Sequence, residues 1–136
     1  MALARNAVCP CGSGRRAKGC CGKVLDGEPA ATPEALMRSR YTAYATGAVG
    51  HVMRTTAPES PHARPDPVAW QRELVEYCEA VDFLGLTVLS AEEHGAVGRV
   101  QFHAKLAAHG RDLSFTEEST FVKRDGRWLY VSGTRP

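Results

Sequence analysis

Val97-Gly98-Arg99-Val100-Gln101-Phe102-His103-Ala104-Lys105-Leu106-Ala107-Ala108 alternates apolar and polar side chains with a period of two. Val100, Phe102, Ala104 and Leu106 fall on one face; Arg99, Gln101, His103 and Lys105 fall on the other. That pattern predicts a strand with one buried and one wet face. Its neighbours read the same way. Phe83–Ala91 is an expected strand, followed by a turn at Glu93-His94-Gly95. Beyond the turn at His109-Gly110, Leu113–Lys123 is a third strand; Asp125-Gly126 is a tight hairpin, and Arg127–Thr134 the fourth strand. Connections this short require antiparallel neighbours.

Upstream the period changes to that of helices. In Thr32-Pro33-Glu34, threonine suits the cap, proline the first helical position and glutamate the positive end of the dipole. This helix should run to Thr46 and stop at Gly47, with Leu36, Met37, Tyr41 and Tyr44 facing the core and Arg38 solvated. A short second helix is expected over Ala48–Thr56, ended by Pro58 and Pro61. Asp66-Pro67 opens a third, reaching Val81 with a buried stripe of Trp70, Leu74, Tyr77, Cys78 and Val81. Cys78 reads as a small buried hydrophobe. Three helices on a curved four-stranded antiparallel sheet make an α+β cone with a concave interior. With 43% apolar and 24% charged residues, 136 residues suffice for one real core.

Two polar positions break the alternation of the third strand. Glu117 and Ser119 share a face with Leu113, Phe115 and Phe121. A buried carboxylate is costly unless paired. Glu117 therefore pairs with an arginine, lines a cavity with water or ligand, or turns outward through a register shift. Arg40, at the margin of the first helix stripe, is the expected partner; its own alternative is a buried stem with a wet head. Arg40, Glu117 and Ser119 are the candidate pocket residues.

The remaining signal lies at the N-terminus. Cys9-Pro10-Cys11-Gly12-Ser13-Gly14-Arg15-Arg16-Ala17-Lys18-Gly19-Cys20-Cys21-Gly22 holds four of the five cysteines. Adjacent cysteines are badly placed to bridge each other, and a reducing cytoplasm disfavours disulfides. A metal explains the spacing: four thiolates at about 2.3 Å close a tetrahedron around Zn²⁺ in the structural manner. Iron suits the same ligands. Residues 1–25 carry five basic groups and no acidic one, while the remainder is mildly acidic. Arg15, Arg16 and Lys18 either offset the charge of the thiolate site or contact an anionic partner. Residues 1–25 thus form a metal knuckle, 26–32 a linker and 33–136 the cone, and removing Cys9 and Cys11 is expected to unfold the knuckle alone.

No run of about 18 apolar residues exists and no secretory leader opens the sequence, so a cytoplasmic protein with no membrane partner is expected. Neither a phosphate loop nor G-x-S-x-G occurs, no catalytic residue is assigned, and no DNA partner is expected. The five histidines show no metal spacing and receive no role.

The segment Cys9–Gly22 resembles the SEC-C motif, also found at the C-terminal end of the SecA translocation motor. The resemblance implies Cys9, Cys11, Cys20 and Cys21 as metal ligands and a docking role rather than catalysis. Together with T-P-E-A-L-M-R-S-R-Y-T-A-Y (Thr32–Tyr44), V-Q-F-H-A, E-E-S-T-F and D-G-R-W-L-Y-V-S-G, the whole chain is similar to the YchJ-like family of bacterial proteins. That family implies a fold similar to nuclear-transport-factor-2. The expected function is a non-catalytic zinc-binding adaptor. Its basic knuckle would dock on a protein or ribonucleoprotein of translation or export. The alternative is a small-molecule binder or hydratase- or isomerase-type enzyme using the cone pocket.

Overall fold

The computed structural model describes residues 3–135. A short 3-10 turn at Ala17–Gly19 leads into α1 (Cys21–Leu25), and three helices follow: α2 (Pro33–Thr46), α3 (Val49–Arg54) and α4 (Pro67–Ala80). The sheet is β1 (Asp82–His94), β2 (Val97–Ala108), β3 (Arg111–Asp112), β4 (Phe115–Arg124) and β5 (Arg127–Thr134). Its order is β1-β2-β4-β5 with β3 also on β2, and all these pairings are antiparallel.

The helix signals act as read. The Thr32 side chain accepts from the amide of Ala35 at 3.0 Å, and Gly47 ends α2 in the left-handed region at φ 76°. Asp66 caps α4 by accepting from Val68 at 3.0 Å. The meander differs in one place. Instead of a single third strand from Leu113, β3 and β4 are separated at Leu113-Ser114. The Ser114 hydroxyl accepts from the amide of Leu106 at 3.0 Å while its own amide turns to Asp112 Oδ1 at 2.9 Å. A side chain thus replaces one rung of the ladder, and the sheet counts five strands rather than four.

β1 carries register shifts at Phe83/Gly85 and Val88/Ser90, and β4 one at Thr120/Phe121. Bulges of this kind bend strands, and here they curl the sheet around α2. The core joins Leu36, Met37 and Tyr41 of α2 to Val100, Phe102, Ala104 and Leu106 of β2 and to Phe121, Trp128 and Tyr130 beyond. The segment just after α3 is pinned to β5 by Ala57 N–H to Tyr130 O and Tyr130 N–H to Thr55 O, both 2.8 Å.

α4 departs from its expected stripe. Within that helix only Cys78 is buried; Trp70 and Leu74 are half-buried, and Tyr77 is exposed. The apolar face of α4 borders a cavity instead of sealing a core, because the curled sheet and α2 leave space beneath it.

Candidate metal centre and cone cavity

Gly12 and Gly14 hold φ of 79° and 83°, so the chain between the cysteine pairs reverses where side chains are absent. The amide of Cys9 bonds Arg15 O at 2.8 Å and that of Ala17 bonds Ala7 O at 2.9 Å, closing the loop. The sulfurs of Cys9, Cys11, Cys20 and Cys21 then lie within 4.8 Å of one another. Tetrahedral ligation at 2.3 Å needs sulfur separations of about 3.8 Å, and Cys11 and Cys20 stand at 3.6 Å. The five cysteines are all free, so no disulfide accounts for the cluster. Ser13 Oγ and Arg15 Nη2 lie 3.2 and 3.6 Å from Cys20 Sγ, the kind of outer contact that shares thiolate charge. The Cys21 thiol is pushed up, first by Cys11 and Cys9 beside it and then by burial. A metal ion binds cysteine as thiolate, so loading this cluster would release protons from the sulfurs. The donor set fits a soft tetrahedral metal ion.

This centre is built into the cone. Cys9, Cys11, Cys20 and Cys21 belong to the same buried cluster as Leu36, Met37 and Leu86. Cys9 Sγ meets Thr42 Oγ1 of α2 at 3.7 Å. Arg38 was expected in solvent. Instead its Nη1 donates to Cys11 O at 2.6 Å and its Nε to Glu34 at 2.9 Å, so it braces the knuckle against α2. The close spacing of Arg38 to Glu34 was visible in sequence; its reach to the knuckle was not.

The expected basic residues Arg15, Arg16 and Lys18 are all exposed on this loop, with Lys23 beside them. Arg5 forms a two-pronged pair with Asp26 at 2.9 and 2.8 Å.

The second candidate region is a cavity of about 430 Å³ inside the cone. Arg40, Glu117 and Ser119 all line it, but the expected Arg40–Glu117 ion pair is not made. Arg40 points across α3: Nη1 donates to Val52 O at 3.1 Å, Thr55 Oγ1 at 2.8 Å and Thr56 Oγ1 at 3.1 Å. Its guanidinium carbon sits 4.5 Å from the centre of the Tyr130 ring. Burial lowers its pKa from the usual arginine range. Glu117 instead accepts from Ser119 Oγ at 2.8 Å, Tyr130 Oη at 3.5 Å and Arg135 Nε at 3.3 Å. Arg135 lies beyond the last strand contact with β4, and nothing in its local sequence marks it as a partner of Glu117.

Two buried groups stand apart from these sites. Cys78 is held as a thiol, its pKa pushed up to about 11 by burial, which fits packing and not attack. Nothing in the sequence around His51 marks it for a role. It is buried between Ser39 Oγ, 2.9 Å from Nε2, and Arg54 Nη2, 3.4 Å from Nδ1. Ser39 already donates to Leu36 O at 2.7 Å, so Nε2 carries the proton and the ring is neutral.

A cone of three helices on a curled sheet, headed by a four-cysteine knuckle, defines a SEC-C-bearing protein of the nuclear-transport-factor-2-like fold. The comparisons are specific: residues 32–133 match the family described as YchJ, middle NTF2-like domain, and residues 5–23 match the SEC-C motif. The chain belongs to the YchJ-like family. It is 42% identical over 132 residues to a UPF0225 protein of Chromobacterium violaceum, covering 93% of this chain and 92% of that one. A solution structure of a SEC-C motif containing protein from Rhodopseudomonas palustris superposes with a TM-score of 0.77 at 38% identity, over 95% and 97% of the two chains. A crystal structure of a SEC-C motif containing protein from Psychrobacter arcticus gives 0.79 at 22% identity, over 98% and 85%, a likeness of fold. Among the described residues no helix is long and apolar enough to cross a membrane.

Proposed function

We propose that this chain is a non-catalytic zinc-binding adaptor whose metal-fixed basic rim docks on a ribonucleoprotein surface in the cytoplasm. The observation that carries the reading is the state of the rim. Arg15, Arg16, Lys18 and Lys23 are exposed, and none has a carboxylate partner among the described residues. Four thiolates around Zn²⁺ leave a charge of −2, which four cations exceed. A rim held rigid by a metal loses little entropy on docking, and dense phosphate is the surface it matches best. Zinc is the metal proposed, because a closed tetrahedron of four thiolates is its usual structural site. An acidic protein surface is the other partner class, separated from RNA by competition with free ribosomal RNA.

The enzyme alternative has less support. A general base must be free to accept a proton, and Glu117 is engaged by Ser119, Tyr130 and Arg135. The test is co-sedimentation of the zinc-loaded protein with purified ribosomes. The wild type should pellet at low salt and be released as salt rises, and Arg16→Glu/Lys18→Glu/Lys23→Glu should bind at least about tenfold more weakly with its metal retained. A wild type that stays in solution, or a triple variant that pellets equally, contradicts the reading.

A further inference from the structure

The cavity inside the cone is lined by none of the four knuckle cysteines. Arg40 is only 7% exposed, yet it faces no carboxylate at ion-pair distance among the described residues. Among the described residues its hydrogen bonds all run from Nη1, and Nε and Nη2 have no partner. Arg40 lines the cavity. Burying a guanidinium without a counter-ion costs several kcal/mol, and the Tyr130 ring offsets part of this at most.

The other charges of the lining cancel in pairs. Arg64 Nε is 3.5 Å from Glu73, and Arg135 Nε is 3.3 Å from Glu117. The interior is thus left with one positive group at its base. One part of the wall is aromatic: Tyr44 and Tyr77 meet edge to face at 5.8 Å, Tyr44 and Phe83 stack at 6.3 Å, and Trp70 and Phe115 also line the cavity. A volume of about 430 Å³ is within the range of small-molecule sites. A cavity this size with aromatic walls and one cation lacking a carboxylate partner suits a ligand with a flat apolar body and a single anionic end.

We propose that the cavity binds a small aromatic carboxylate, its ring between Tyr44, Tyr77 and Trp70 and its carboxylate on Nε and Nη2 of Arg40. The unused face of α4 is then the ligand's wall, which explains why Leu74 and Tyr77 leave the core.

The probe is 2-naphthoate, titrated into the metal-loaded protein by calorimetry and by Trp70 fluorescence, with 2-naphthalenemethanol as its neutral match. One naphthoate should bind per chain, and the alcohol should bind at least tenfold more weakly. Arg40→Met should abolish the preference for the anion, and Arg40→Lys should retain part of it. Should Arg40 variants fail to fold, Tyr77→Ala, on the half-open wall, should still weaken naphthoate binding severalfold in a folded protein. Arg16→Glu/Lys18→Glu/Lys23→Glu should bind naphthoate as the wild type does, which separates this site from the basic rim. No saturable binding, equal binding of acid and alcohol, or loss of binding in the rim variant overturns the proposal.

Discussion

The sulfur of Cys9 lies 3.7 Å from the hydroxyl oxygen of Thr42, and both residues are buried. The metal loop is therefore seated on α2 and shares the cone's core. A tethered knuckle would melt by itself; one that contributes four buried cysteines to the common cluster should lower the stability of the whole. Cys9→Ser with Cys11→Ser is expected to release the metal and lower Tm of the helix-and-sheet body by about 10 °C. Near-ultraviolet circular dichroism of the aromatic core reports the body alone, and an unchanged melt there would contradict shared stability.

Gly12 makes the contact from the other side. A Cβ at this residue would stand 2.6 Å from Leu86 O in β1, and φ is already +79°. Gly12→Ala should cost about 2–4 kcal/mol from strain and displacement, measured by chemical denaturation, and weaken metal retention against a chelator. Gly14, with φ +83° and open space around it, should lose less on the same substitution because it pays only the backbone term.

The parts of the fold written in local chemistry were legible. Thr32, Gly47 and Asp66 mark helix ends through their own side chains or lack of one, and β2 and β5 follow directly from alternation. Ser114 escaped because a serine hydroxyl replacing a backbone rung leaves no periodic trace. The cysteines were legible as a cluster through spacing alone. The fate of Arg40 was not: helical position put it at the margin of a stripe, but its partners just after α3 depend on how Thr55 and Thr56 are held against Tyr130. Tyr77 and Leu74 misled for the opposite reason, since an aromatic stripe facing a cavity has the same period as one facing a core.

His51 makes stability depend on pH. Burial first, then Arg54 and Arg40, lowers its pKa to about 4. The unfolded chain, with a histidine pKa of about 6.5, takes up the proton first as pH falls. The contribution is complete above about pH 6.5, drains away between there and pH 4, and amounts to about 3 kcal/mol. Across that window the stability of the wild type should fall more than that of His51→Gln. Parallel denaturation curves for the two would refute the assignment.

Glu117→Gln separates two accounts of the cavity. Were Arg40 its ion-pair partner, losing the charge would cost about 3–5 kcal/mol. With an exposed Arg135 as the partner, and with glutamine still able to accept from Ser119, the loss should be no more than about 1 kcal/mol. Thermal melts of the purified variant give the answer directly.

Cys9, Cys11, Cys20 and Cys21, whose sulfurs lie within 4.8 Å of one another, should hold one metal ion. Native mass spectrometry with elemental analysis, on protein purified without added metal, tests that claim most directly. One zinc per chain, absent from the Cys9→Ser/Cys11→Ser variant, is the predicted result. A metal-free chain, or a variant that keeps its full metal content, would contradict it.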